Sequence, residues 1–216
     1  MAAVQADGGN LDHTLRAAQQ GDIAAFNTLV TAYQRQVYNV CYRTLGSPED
    51  AADATQDAFL SAFRGLKTFR GPAAGLRGWL LRVAINACYD QLRRRQRRPT
   101  ESLDALSGPD ADQDSPSGSA AERLADPGPG PEQQTLGAES ARAIQQALDQ
   151  LSTEHRLTVV LCDVQGLSYD EAAHIMQVEL GTVKSRLSRA RAQLRTLLLA
   201  AGELPATAGR LQQRSP

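Results

Sequence analysis

Apolar residues recur through the first hundred positions at helical spacing. From Asp22, whose carboxylate can cap a helix, they fall at Phe26, Leu29, Val30, Tyr33, Val37, Val40 and Cys41, one helical face that Gly46 can stop. Ser47-Pro48-Glu49-Asp50 restarts a helix: a hydroxyl cap, a proline in the first turn where its missing N–H costs nothing, and carboxylates facing the positive end of the dipole. That helix is expected to reach about Arg64. GLKTFRGPAAG, rich in Gly and Pro, reads as a loop, and WLLRVAINACYDQLRRRQRR resumes the helical period through Trp79, Val83 and Ala87 to a cluster of arginines. No segment alternates as a strand would.

The pattern lapses over residues 99–140, which hold six of the ten prolines, no aromatic residue, and 17 Pro, Gly or Ser in 42 positions. Such a composition buries too little apolar surface to offset chain entropy, so a disordered linker is expected, set at 99–137. Beyond it, Ile144, Ala147, Leu148 and Leu151 mark a helix, and Ser152 caps the next, through Val159, Val160 and Cys162 to Gly166. Ser168 and Glu171 form a capping box; a short helix to Met176, a turn QVEL and a long helix from about Thr182 then give helix-turn-helix spacing. The expected fold class is all-α: a helical domain over 1–98, the linker, a second helical domain over 138–200, and a frayed tail over 201–216.

With 216 residues, 42% hydrophobic and 22% charged, the chain cannot be disordered throughout. No apolar run approaches the ~18 residues a membrane span requires, and MAAVQADGGNLD lacks the basic flank and apolar stretch of a signal peptide, so a cytoplasmic protein is expected. Cys41, Cys88 and Cys162 are far apart and odd in number, with no CxxC motif, and are read as small core residues. His13, His155 and His174 are read as surface or satisfied helix residues; neither a metal nor another cofactor is expected. The formal charge of −1 hides blocks of sign: +5 over 1–98, −8 over 99–140 and +2 over 141–216. Within the first block, Ala58 to Arg98 alone carries ten basic residues and one acid.

These charges suit nucleic acid. In TVKSRLSRARAQLR, the residues Val183, Leu187, Ala190, Leu194 and Leu198 make one apolar stripe, and Lys184, Arg186, Arg189, Arg191 and Arg195 occupy the remaining surface without an intervening acid. A basic face on the second helix of a helix-turn-helix fits the major groove; the bland alternative is a solvated amphipathic helix. Arg93, Arg94, Arg95, Arg97 and Arg98, with Arg64, Lys67, Arg70, Arg77 and Arg82, are interleaved with Phe63, Phe69, Trp79 and Tyr89. Phosphate neutralisation plus stacking platforms is what a single strand needs, although Trp79 and Phe63 serve equally as core. Asn86, on an otherwise apolar helix face, is an amide that wants a partner, and a base edge is one.

The ordered pair DAADATQDAFLSAF…FRG…WLLRVAINACYDQLRRR, then LSTEHRLTVVLCDVQGLSYDEAAHIMQVELGTVKSRLSRARAQLR, resembles regions 2 and 4 of the extracytoplasmic-function (ECF) group of the sigma-70 family. The resemblance covers roughly 10–98 and 138–200. It implies an alternative sigma factor, not an enzyme, that directs core RNA polymerase to a two-part promoter. It further implies that Asp50, Asp53, Gln56, Asp57 and Phe59 dock on the β′ clamp helices, with a second contact to the β flap. The loop from Gly65 to Gly75 with Asn86 matches the family's pocket for a flipped-out minus-10 base: Phe69 to stack, Asn86 to bond a base edge, and Arg70, Trp79, Arg82, Arg93 and Arg94 around them. Melting is then driven by binding energy and needs no hydrolysis. On the last helix, Lys184, Ser185, Ser188 and Arg189 align with the minus-35 readers, and Thr182, Arg186 and Arg191 with phosphate contacts. An anti-sigma factor that masks both domains is implied as a partner.

The chain departs from the family at Ala52, Ala173, Gln177 and Glu179, where an acid, Ile, Gly and Pro are usual. Gln177 is therefore expected to take a left-handed backbone at a cost of about 1 kcal/mol, and Glu179 brings a negative charge close to DNA. Promoter elements about two turns of DNA apart lie roughly 70 to 85 Å from each other at about 3.4 Å per base pair. A flexible coil of the length of 99–140 averages only about 35 to 40 Å, with an extended limit near 140 Å, so the linker must be held extended, and its acids suit a basic channel of the polymerase. A stand-alone DNA-binding regulator would need a sensory motif that the N-terminal block lacks. An enzyme built on Asp50, Asp53 and Asp57 lacks a paired His or second carboxylate motif.

Overall fold

The computed structural model describes residues 8–97 and 131–202, with side chains placed from residue 10 and from residue 140. Among the described residues every regular element is helical. They fall into two compact units, one built mainly on the first four helices and one mainly on the last four.

In the first unit, α1 spans Gly8–Gln19, α2 Ile23–Leu45, α3 Pro48–Gly65 and α4 Ala73–Arg97. The expected caps are present. Asp22 Oδ1 accepts the N–H groups of Ala24 (2.8 Å) and Ala25 (3.1 Å), and Ser47 Oγ accepts that of Asp50 (3.3 Å) with Pro48 at the first helical position. Gly46, at φ 75°, ends α2. The expected loop is shorter than its composition suggested: a 3-10 turn takes Leu66–Thr68 and α4 already begins at Ala73.

Helix α1 was not expected, and it anchors this region. Its Leu15 and Ala18 join Leu29, Ala62, Leu66, Ala73, Leu76 and Leu80 in one buried cluster. Gln19 Nε2 donates to the backbone carbonyls of Leu66 (3.3 Å) and Phe69 (2.9 Å), fixing the 3-10 turn against α1. Along α3, Ala51, Ala54, Ala58 and Ala62 are the buried positions, and methyl-sized side chains let α3 lie close on α4. Cys41 and Cys88 are fully buried in this unit.

In the second unit, α5 spans Pro131–Asp149, α6 Thr153–Val159, α7 Tyr169–Met176 and α8 Leu180–Ala200. Helix α5 opens inside the stretch read as linker; the rest of that linker to residue 130, with its proposed role in a basic channel, and the tail from 203 lie outside the described residues. Ser152 caps α6, and Ser168 and Glu171 form the reciprocal capping box. Leu148, Leu157, Leu161, Val160 and Val183 are among its fully buried side chains.

The expected helix through Cys162 does not continue as an α-helix. Residues Val160–Val164 form a π-helical turn in which the Gln165 N–H donates to the Val160 carbonyl at 2.9 Å, five residues back. Gly166, at φ 67°, ends it, and the Leu167 N–H reaches the Leu161 carbonyl at 3.1 Å. Gln177 takes φ 55° and ψ 47°, the left-handed conformation expected of it.

Candidate nucleic-acid interface

The alanine face of α3 buries on α4 and leaves a groove beside the seam. This groove, of about 560 Å³, is lined from α3 by Asp57, Leu60, Ser61 and Arg64, from the turn by Gly65 and Thr68, and from α4 by Trp79, Val83, Asn86, Ala87, Asp90 and Arg94. Four of the eight residues expected at a minus-10 pocket therefore share one concavity: Gly65, Trp79, Asn86 and Arg94. Asn86 is exposed on its wall, so the helix face that carries it is open to solvent and not the apolar face the sequence suggested. Gly65 sits under Trp79, where an added Cβ would lie 3.3 Å from the indole.

Phe69 lies elsewhere. Its ring packs against the buried cluster and meets Trp79 at 5.4 Å between centroids, tilted by 49°. Gly71 lies tight against that ring: a Cβ there would be 2.7 Å from Phe69 Cζ. Arg70 is exposed and donates to the Lys67 carbonyl at 2.9 Å, Arg82 is half-buried and Arg93 pairs with Asp90 at 3.2 Å.

The residues expected to meet the polymerase divide into three groups. Asp53 and Gln56 are exposed. Asp50 and Asp57 are turned to α4: Asp50 accepts from Gln91 Nε2 (2.7 Å) and pairs with Arg95, and Asp57 pairs with Arg94 at 3.3 Å. Phe59 packs against the cluster. The sequence reading missed Leu60, 48% exposed beside Gln56, and Phe63, at 43%, is neither fully core nor free, since it meets Phe26 edge-on at 4.9 Å. The period of α3 holds the missed signal: with Ala54, Ala58 and Ala62 inward, Asp53, Gln56, Leu60 and Phe63 must face out.

In the second unit Val183, Leu187 and Ala190 of α8 are buried as the stripe required. That leaves Lys184, Ser185, Ser188 and Arg189 exposed, with Thr182 and Arg186 half-buried. Lys184, Ser188, Arg191 and Arg195 line a groove of about 670 Å³ together with Tyr169 of α7. Among the described residues no carboxylate lies within 4 Å of Lys184 or Arg189. Arg191 differs: its Nε and Nη2 donate to the two oxygens of Asp163 at 3.0 and 2.5 Å, and that carboxylate, with Tyr169, holds the guanidinium further into its charged form.

Among the described residues no cluster of three or more His, Cys, Asp or Glu is placed to hold a metal ion, and no helix is long and apolar enough to cross a membrane.

Residues 29–98 match the family description Sigma-70 region 2, and residues 141–194 match Sigma-70, region 4. The chain is similar to the ECF RNA polymerase sigma factor SigM of Mycobacterium tuberculosis, 40% identical over 184 residues that cover 85% of this chain and 82% of that one. It is also similar to the ECF RNA polymerase sigma-E factor of Escherichia coli, 36% identical over 174 residues, 80% of this chain and 86% of that one. Among solved structures, RpoE of Bartonella quintana in complex with the anti-sigma factor NepR aligns with a TM-score of 0.60 at 25% identity, covering 82% of this chain and 98% of that one. CnrH in complex with the cytosolic domain of CnrY aligns with a TM-score of 0.57 at 26% identity over 88% and 98%.

Proposed function

The chain belongs to the ECF group of the sigma-70 family and is an alternative sigma factor for transcription initiation, and from that premise we propose how its two units divide the work. The observation that carries this reading is the order of the two regions on one chain, each with a solvent-facing surface suited to a different form of DNA. The α3–α4 groove takes a base extruded from the non-template strand at minus-10. Asn86 offers an amide to its edge, Trp79 an aromatic wall and Arg94 a cation for phosphate; Phe69 stiffens the turn from behind. Capture of the extruded base stabilises the open strand, so the protein melts DNA by binding and catalyses nothing. Helix α8 enters the major groove at minus-35, where Lys184, Ser185, Ser188 and Arg189 face base edges and Thr182 and Arg186 face phosphates.

The outward face of α3, with Asp53, Gln56, Leu60 and Phe63, docks on the β′ clamp helices of core RNA polymerase, its carboxylates suited to a basic partner, and the second unit contacts the β flap. Because RpoE and CnrH were solved with NepR and CnrY, an anti-sigma factor is the expected regulatory partner here as well. The protein acts in the cytoplasm, on the nucleoid, through the polymerase. Permanganate footprinting of unpaired thymines tests the reading: holoenzyme formed with this chain opens the minus-10 region of its promoter, and core polymerase alone does not. Equal reactivity with and without the chain would refute it.

A further inference from the structure

One basic residue of α8 is unlike its neighbours. Arg191 meets Asp163 through two parallel N–H···O contacts, a fork that fixes the plane of the guanidinium as well as its place. Tyr169, on the first turn of α7, lies in the same groove and interacts with the guanidinium. One side chain thus ties α8 to the π-helical turn and to α7. Lys184 and Ser188, seven and three positions earlier, line the groove beside it.

The carboxylate that does this stands on an irregular element. π-helical turns are rare and appear mostly as single-turn bulges in α-helices, frequently at functional sites. Here the turn at Val160–Val164 carries Asp163 to α8. The pair remains in contact with water, the Arg191 side chain being 44% and the Asp163 side chain 33% exposed. Burial therefore does not explain it, and an unpaired Arg191 would be available to any nearby phosphate.

We propose that Asp163 withholds Arg191 from DNA, so that α8 meets duplex of any sequence with one phosphate contact fewer and the free chain holds bulk DNA more weakly. The proposal rests on the reading of α8 as the DNA-contacting helix. It follows from the chemistry of phosphate contacts, which strengthen binding to every sequence alike and carry no base information. Each adds about −0.9 to the slope of log K against log salt on duplex DNA. Withholding one sequence-blind contact therefore lowers affinity for competing sites as much as for the true one and leaves the ratio between them to the base-edge contacts.

The test is fluorescence anisotropy of the full-length chain on two duplexes, one carrying a minus-35 element selected from a random pool and one with that element scrambled, from about 50 to 200 mM salt. Arg186→Gln, at a position read as a phosphate contact, should flatten the slope by about 0.9, whereas Arg191→Gln should leave it unchanged. Asp163→Asn should steepen the slope by about 0.9, tighten both duplexes several-fold and leave the ratio between them unchanged. Adding Arg191→Gln to Asp163→Asn should restore the wild-type slope. Glu154→Gln, an equal charge change at an exposed position of α6, should not alter it. A gain of affinity cannot come from a loss of fold, so Asp163→Asn stays decisive even where Arg191→Gln lowers stability. Flattening by Arg191→Gln equal to that by Arg186→Gln, or an Asp163→Asn result no different from Glu154→Gln, overturns the proposal. No change with either Arg186→Gln or Arg191→Gln overturns it together with the reading of α8 on which it rests.

Discussion

Asp57 on α3 and Arg94 on α4 pair at 3.3 Å on the rim of the groove that holds Asn86, joining a residue expected to face the polymerase to one expected to face DNA. Their side chains are 48% and 64% exposed, so the pair contributes less than about 1 kcal/mol. Because Asp57 turns to α4 and lies off the outward face of α3, Asp57→Asn is expected to leave the thermal midpoint within a few degrees of wild type and affinity for core polymerase unchanged, whereas Asp53→Asn weakens core binding. Calorimetry and a competition assay for core against a second sigma factor separate the two effects.

Asn86 is exposed, and surface substitutions of this kind usually change stability by no more than about 0.5 kcal/mol. Asn86→Ala should therefore unfold at the wild-type urea concentration yet lose promoter opening. A stability loss of about 1–3 kcal/mol would instead mark the amide as a structural hydrogen-bonding group.

Two neighbouring glycines make opposite predictions. A methyl group on Gly71 collides with the Phe69 ring, and Gly71→Ala should destabilise the first unit by about 1–3 kcal/mol through overpacking. At Gly75, inside α4, the nearest atoms to an added Cβ are 3.9 Å away, and Gly75→Ala should stabilise by about 0.5–1 kcal/mol. Chemical denaturation of both variants checks the signs.

Gln177 holds a left-handed backbone without being glycine. Gln177→Gly removes a steric cost of about 1 kcal/mol against a smaller entropic loss, so the second unit should melt at a higher temperature. Differential scanning calorimetry reads the shift directly.

The three thiols are buried; the hydrogen bond between Cys41 and Cys88, with burial, pushes the Cys88 thiol up while the same hydrogen bond pulls the Cys41 thiol down, so it is lack of access that keeps the set unreactive. Iodoacetamide should modify none of them in the native chain and all three in urea. Mass spectrometry after a timed quench measures this.

What the sequence made legible is what local chemistry decides. The caps at Asp22, Ser47, Ser152 and Ser168 involve partners two or three residues away, whereas the left-handed Gln177 was legible only through the family resemblance, which has glycine at that position. The apolar stripe of α8 was readable because Val183 and Leu187 are large. Helix α1 escaped because GGNLDHTLRAAQ opens on two glycines and carries few large apolar residues. The inward face of α3 escaped because it is made of alanines, which also hid the outward placement of Leu60 and Phe63. The π-helical turn, and the pairs Asp57–Arg94 and Asp163–Arg191 at separations of 37 and 28 residues, depend on tertiary packing that no local pattern encodes.

Run-off transcription with purified core RNA polymerase, with and without this chain, on a random promoter pool plus the DNA upstream of its own gene, decides whether both DNA surfaces are used. Chain-dependent transcripts are expected from defined start sites, and they should vanish with Asn86→Ala and with Lys184→Ala plus Arg189→Ala. Transcripts that are the same without the chain, or that survive both sets of substitutions, would contradict the use of both surfaces.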